Sequence, residues 1–341
     1  MKIYHLSHTD LDGYGAQYIT NFYFKDVKFL NSNYGREIDD KFAQILDEID
    51  ASNDDKNVIL ITDLNLTPAQ CESFEEMIEG KNIKLFLLDH HQSGAECASA
   101  YSWYFLDSSR CATKITYDFF AGIFGQNKEL EIFSDVVNAV DIWLKDDKNF
   151  EMGKVCLGLV ANAKEINKVM FEAENNLYMD HILKEASKFF NEKNDYIGLD
   201  MQVHAIKKSF FKEDKDDTLS NLISNYVVKK LSENKEKFSI SYKDHKGILT
   251  YNIGNVSVIG NDFLVANPEF DFFIDVTNKK TLSFRANGKL DVSAMAKHLV
   301  GGGGHVNASG GLFANFKDGF SYEPIKAQIV DLITKKTQEE I

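Results

Sequence analysis

Three short stretches of this sequence bring carboxylates and imidazoles together: His8-Thr9-Asp10-Leu11-Asp12-Gly13, the single Asp63, and Asp89-His90-His91. Each closes an apolar run. Taken singly they have ordinary readings, since an Asp at a strand end is more often a helix cap or a turn former than a ligand. Acids or histidines at three strand ends of one sheet are much rarer by chance. Two adjacent histidines after a buried strand also resist a packing explanation, because both imidazoles need polar partners there. Carboxylate and imidazole together suit Mn²⁺ or a similar first-row ion better than Mg²⁺, which prefers oxygen, or zinc held by thiolate. The donors suffice for two ions sharing a bridging carboxylate. Such a pair, about 3.5–4 Å apart, makes hydroxide from water near neutral pH and stabilises both oxygens of an in-line displacement at phosphorus. Phosphoester hydrolysis is the reaction class that follows.

The elements that must position these groups alternate. Lys2–Ser7 and Val27–Leu30 read as strands, Tyr14–Phe24 and Arg36–Ile49 as helices. Asn57–Thr62 and Ile83–Leu88 are apolar runs of the kind buried on both faces of a parallel sheet. Between them Thr67 is an N-cap with Pro68 at the first helical position, and Gly80 closes that helix. Strand–helix alternation implies a doubly wound, mainly parallel sheet, in which ligands sit beyond the carboxyl ends of the strands. The acids and imidazoles stand at those ends. Later residues turn helical, with three- and four-residue apolar spacing in Glu131–Leu144 and Ala163–Phe190. Short β-rich runs return at Phe238–Tyr242, Gly247–Tyr251, Asn255–Ile259, Asp271–Val276 and Leu282–Arg285. A helix from Asp291 to Val300, the run Gly301–His305 and a helix at Pro324–Lys335 complete the chain. The expected architecture is α/β: a domain over residues 1–160, a helical connector over 161–232, and a smaller α/β domain over 233–341, with the active-site cleft between the two domains.

Composition narrows the choice of substrate. A formal charge of −14 and a pI near 5.1 disfavour a protein that grips long nucleic acid, because that binding needs many Lys and Arg against phosphates. A small anionic ligand remains compatible. With 44% apolar residues and only 3 prolines in 341 residues, an ordered globular protein is expected. The four cysteines show no C-x-x-C spacing, so reduced thiols in the cytoplasm are the simplest expectation. His5, His8, Asp10 and Asp12 interrupt any signal-peptide core, and no run of eighteen apolar residues suggests a membrane span.

The three stretches, in this order, resemble the successive motifs of the DHH phosphoesterase family. Ser283-Phe284-Arg285, Asp291-Val292-Ser293 and Gly301–His305 followed by Asn307–Gly311 resemble the DHH-associated C-terminal domain, so the resemblance spans nearly the whole chain. The layout is similar to the nanoRNase and oligoribonuclease (NrnA and NrnB type) branch, which degrades short RNA and often 3′-phosphoadenosine 5′-phosphate. The resemblance implies two Mn²⁺ ions, with Mg²⁺ or Co²⁺ as substitutes. It implies that His8, Asp10 and Asp63 hold one ion, and that Asp12, Asp63, His90 and a further acid hold the other. The further acid is expected on a helix after the sheet. Asp141 is the candidate, with Asp135 and Asp146 as competitors. His91 would contact the scissile phosphate or assist proton transfer, and Asp89 would orient a histidine through its ring N–H. Many relatives place three residues between the first His and the first Asp, whereas only Thr9 separates His8 from Asp10.

Four successive glycines are usually a flexible linker. Here they follow an amphipathic helix and end at His305, which favours close approach of backbone to a phosphate. They lack the Gly-Lys-Ser/Thr ending of a P-loop. By resemblance Arg285 and His305 would grip a terminal nucleotide, with Gly303 and Gly304 presenting N–H groups. The expected function is hydrolysis of very short oligonucleotides to mononucleotides, with 3′-phosphoadenosine 5′-phosphate or linear dinucleotides as further substrates, and a homodimer as a possible assembly. Inorganic pyrophosphatase or polyphosphatase activity, and a non-catalytic nucleotide-binding regulator, are the alternatives.

Overall fold

The run Lys2–Ser7 forms β1, buried at five of its six positions as an interior parallel strand must be. The computed structural model describes residues 1–52, 56–190 and 195–338. From β1 the chain runs through α1 (Leu11–Tyr23), β2 (Val27–Asn31), α2 (Arg36–Ala51), β3 (Asn57–Thr62), α3 (Pro68–Ile78), β4 (Ile83–Asp89), α4 (Ala95–Ala100) and β5 (Tyr104–Leu106). Helices α5 (Ala112–Phe124), α6 (Lys128–Asp141), α7 (Phe150–Ala161), α8 (Glu172–Ser187), α9 (Tyr196–Phe211), α10 (Leu219–Glu233) and α11 (Lys235–Phe238) follow. The remainder is β6 (Ser239–Tyr242), β7 (His245–Tyr251), α12 (Val256–Ala266), β8 (Phe272–Val276), β9 (Thr281–Ala286), α13 (Val292–Val300), β10 (Gly303–His305), β11 (Ala308–Leu312) and α14 (Tyr322–Gln338).

The first five strands make one parallel sheet in the order β2-β1-β3-β4-β5. This is the doubly wound α/β arrangement. Its strand order reverses between β1 and β3, the switch point at which such sheets bind ligands. Register aligns the strand ends, since Ser7 lies beside both Asn31 and Thr62, and Thr62 beside Leu88. Whatever follows Ser7, Thr62 and Leu88 is therefore delivered to one edge. One face of the sheet is sealed by a core that includes Leu6, Ile38, Phe42, Ile59, Leu85 and Phe74, with the Phe42 and Phe74 rings stacked at 3.7 Å. The sequence sets α3 as expected: the Thr67 hydroxyl accepts from Gln70 N–H in a capping box, with Pro68 in the first turn.

The chain divides into two compact units, Met1–Ala163 with Asn176–Lys207, and Lys164–Asn175 with Lys208–Ile341. The helical stretch 161–232 is thus shared between them. The second unit holds a six-stranded mixed sheet, β10-β11-β9-β8-β7-β6, in which only β7 and β8 pair in parallel.

Three local expectations are corrected. Asn255–Ile259, expected as a strand from its Val256 and Val258 alternation, instead opens α12; Ile259, Gly260, Phe263 and Leu264 bury one helical face, and Asn255 caps it in a left-handed conformation. The long helix expected over Ala163–Phe190 is confined to α8, because the Asn167 side chain accepts from the Val169 and Met170 N–H groups and holds a turn before it. Helix α1 begins at Leu11, not Tyr14, because Asp10 caps it by accepting from Gly13 N–H. Among the described residues no helix is long and apolar enough to cross a membrane.

Candidate metal centre

The turn after β1 is fixed by packing. A Cβ on Gly13 would stand 2.3 Å from the His8 carbonyl oxygen, so only glycine lets α1 start this close to the strand. The Ser7 hydroxyl donates to the Gly13 carbonyl, and Ser7, Thr62 and His5 form a buried hydroxyl–imidazole chain that ties β1 to β3. Burial alone pushes His5 down to about 3, so it sits neutral in that chain.

His8 Nδ1 lies 2.8 Å from Asp10 Oδ2 and 3.6 Å from Asp63 Oδ2. Burial disfavours a charged imidazole there, but the Asp10 hydrogen bond and the Asp63 carboxylate outweigh it and raise His8 to about 10. Asp10 shows the reciprocal effect: burial works against its charge, yet the His8 partner holds it down to about 2. Asp12, buried, is a different case. Its two oxygens accept from the Ala112 and Thr113 N–H groups at 2.7 Å each, so the carboxylate sits on the amino end of α5.

Asp63 follows β3 with φ of +56°, a left-handed conformation that Asp tolerates better than most residues. Its Oδ2 is buried without a hydrogen-bond partner. Burial, then the neighbouring Asp12 charge, raise its pKa well above the carboxylate range. His90 Nε2 lies among three carboxylates, 3.3 Å from Asp63 Oδ1, 3.6 Å from Asp12 Oδ2 and 3.6 Å from Asp141 Oδ2. Asp141 ends α6, and burial followed by the Asp12 charge pushes it up to about 8. Of its two sequence competitors, Asp135 pairs with Lys114 at 2.7 Å, and Asp146 lies in an exposed loop outside the clusters.

Asp89 serves His91 instead of His90. Its oxygens receive the Tyr104 hydroxyl at 2.9 Å and His91 Nδ1 at 2.7 Å, while His91 Nε2 lies 2.9 Å from the Tyr34 hydroxyl. A carboxylate is acceptor-only, so the imidazole proton resides on Nδ1 and Nε2 faces Tyr34. The Tyr34 ring also lies 4.7 Å from that of His8, tilted by 38°, and burial together with the Asp63 and Asp10 charges raises its phenol.

Among the described residues three sets of donor atoms each lie within 4.8 Å of one another: His8, Asp10 and Asp63; Asp63, His90 and His91; and Asp12, Cys111 and Asp141. Two donors about 2.1 Å from one ion lie roughly 3.0–3.4 Å apart, close to the spacing around His90. The residues fit divalent cations. Asp63 Oδ2 is buried without a hydrogen-bond partner among like charges, with His8 Nδ1 3.6 Å away, and a bound cation would offset the crowded charge. Cys111, Tyr34 and Tyr104 were not legible as part of this site; nothing in their spacing marks them, and tertiary packing alone brings them here.

In the second unit the glycine run forms an antiparallel hairpin of β10 and β11. Gly302 and Gly304 are required by it, because a Cβ would meet the Gly310 carbonyl oxygen at 2.2 Å and the Ala308 carbonyl oxygen at 2.6 Å, whereas Gly303 is open. Arg285 and His305 both register with Ala308, so they share one row and one face, about 10 Å apart. The Arg285 guanidinium donates to the Phe284 carbonyl and the Ser257 hydroxyl at 2.8 Å.

No family model matches the sequence. A 3′,5′-cyclic-nucleotide phosphodiesterase of Helicobacter pylori is 40% identical over 97% of this chain and 99% of its own. The crystal structure of an uncharacterized protein from Helicobacter pylori G27 superimposes with a TM-score of 0.92, at 40% identity over 98% of this chain and 99% of that one.

Proposed function

The chain belongs to the family of the Helicobacter pylori 3′,5′-cyclic-nucleotide phosphodiesterase, and from that premise we propose that it is a metal-dependent phosphodiesterase of the DHH type acting on small nucleotides. The observation that carries the reading is the convergence of three carboxylates, Asp12, Asp63 and Asp141, within 3.3–3.6 Å of the His90 Nε2 atom. In this reading His8, Asp10 and Asp63 hold one Mn²⁺, and Asp12, Asp63, His90 and Asp141 hold a second. Such ions, when bound, supply Lewis-acid polarisation of the phosphoryl oxygens and hydroxide near neutral pH. The chain's own residues do the rest. Asp12 is pre-oriented by two α5 N–H groups, so no side-chain entropy is lost when it engages. His91, held by Asp89 through Nδ1–H, leaves Nε2 as a proton acceptor 2.9 Å from the Tyr34 hydroxyl, so this pair would contact the scissile phosphate or take up and return a proton during the displacement.

The substrate that the family suggests is a 3′,5′-cyclic nucleotide. The row of Arg285 and His305 supports a second reading, in which a short linear oligonucleotide presents a terminal phosphate to those side chains. The test is a panel of 3′,5′-cyclic AMP, 3′-phosphoadenosine 5′-phosphate, pyrophosphate and RNA of two to twenty nucleotides with ion-stripped protein, with and without Mn²⁺, and Asp63→Ala as control. Mn²⁺-dependent opening of the cyclic diester is expected, with linear RNA cleavage falling steeply with length. Pyrophosphate cleavage exceeding diester cleavage, or nucleotide binding without turnover, would overturn the reading.

A further inference from the structure

Helix α6 ends in a paired closure: the Leu144 N–H reaches the Ala139 carbonyl at 2.8 Å and the Trp143 N–H reaches that of Val140 at 3.3 Å. This is the Schellman arrangement, whose left-handed residue is usually glycine because a Cβ is disfavoured there. Here the position holds Trp143, with φ of +60°. A large side chain in that conformation is a genuine outlier, and such strain persists where something other than stability selects it.

Packing does not repay the strain. Trp143 is 54% exposed, and its ring meets Phe150 edge-on at 5.1 Å and 89°. Tryptophan is on average among the more buried residues, and this chain has only two. Position supplies the missing reason. Trp143 follows Asp141 by two residues, which bounds the separation of their Cα atoms at about 7 Å. Asp141 is the acid whose Oδ2 stands 3.6 Å from His90 Nε2.

We propose that Trp143 is a stacking platform for the base of the nucleotide whose phosphate meets the carboxylate–imidazole cluster; this rests on the phosphodiesterase reading. An aromatic face accepts any base, so it supplies affinity with little sequence preference. A protein partner fits less well, because the following residues, Lys145-Asp146-Asp147-Lys148, are all exposed and charged, and the core of a protein interface is depleted of charge.

The test compares wild type with Trp143→Ala, Trp143→Phe and Trp143→Gly on 3′,5′-cyclic AMP and on the same ribose cyclic phosphate lacking a base. Trp143→Ala is expected to raise KM for the nucleotide about tenfold or more while changing kcat/KM for the base-free diester less than twofold, and Trp143→Phe to retain most of the affinity. Trp143→Gly is expected to bind as poorly as the alanine variant yet unfold at a higher temperature, since glycine relieves the strain. Independently, in a Trp103→Phe background, Trp143 fluorescence is expected to be quenched on titration with AMP. Equal losses on both diesters, no loss on either, or no quenching would overturn the proposal. Should wild type cleave neither diester, the activity reading fails, and the AMP titration still decides the platform: quenching supports it and its absence overturns it.

Discussion

Replacing Asp63 with Asn should make the ion-free protein more stable and the ion-loaded protein less so. The Asp63 Oδ2 atom is buried without a partner, a loss that costs about 1–3 kcal/mol in a folded protein. Taking up a proton does not remove the cost, because the unfolded carboxyl releases it near a pKa of about 3.9 while burial and the Asp12 charge keep it bound in the folded state. With a folded pKa above the unfolded one, the penalty is present at neutral pH and vanishes as pH falls toward about 4. Asn keeps the shape and removes both charge and titration, so a gain of about 1–3 kcal/mol is expected at pH 7.5 in EDTA. For a unit of this size that is a midpoint shift of about 2–4 °C per kcal/mol. With Mn²⁺ at a hundred times Kd, wild type should gain about 2.7 kcal/mol, and the variant, lacking the ligand proposed to be shared, clearly less. Thermal unfolding followed by circular dichroism across EDTA and Mn²⁺ series reads both arms. A variant less stable than wild type in EDTA, or one stabilised equally by Mn²⁺, would refute the argument that Asp63 is an acid awaiting a cation.

Asp12→Asn should have the opposite sign without ions: the amide must set an N–H against Ala112 or Thr113 N–H, so urea unfolding in EDTA should show a loss of about 1–3 kcal/mol. In the second unit Asp275, held by Thr250 and Ile253 but with Oδ2 unpartnered, is pushed up to about 7, chiefly by burial. Its folded pKa exceeds the unfolded one, so wild type should lose stability as pH rises from about 4 to 7, by at most about 4 kcal/mol, and Asp275→Asn should flatten that slope in denaturant titrations.

The sheet and its strand-end acids were legible because they rest on local signals. Uninterrupted apolar runs mark β1, β3 and β4, and parallel register delivers whatever follows them to one edge. Asp141 needed more, since its distance of 3.6 Å from His90 depends on how α6 packs, which periodicity does not encode; the sequence favoured Asp141 but kept Asp135 and Asp146 as competitors. Tyr34 and Cys111 were invisible for the same reason. The α12 error is different in kind: Val256 and Val258 alternate over too few residues to separate a strand from the first turn of a helix, and the deciding residues, Phe263 and Leu264, lie downstream. The short strand β5 was missed because three residues carry no period at all.

The site also divides its acids by what the protein supplies to each. Asp10 is paired with His8, Asp12 with the amino end of α5, and Asp89 with Tyr104 and His91. Asp63 and Asp141 share His90, with His8 a further 3.6 Å from Asp63, and their pKa values are driven up. A fold selected for stability alone would neutralise or delete these two, since carboxylates crowded together are disfavoured in their charged form. Strain confined to two members of a five-acid cluster, with the other three held rigid by hydrogen bonds, is what a cation site requires. The rigid acids set the geometry, and the strained ones supply the differential that favours the ion-loaded state.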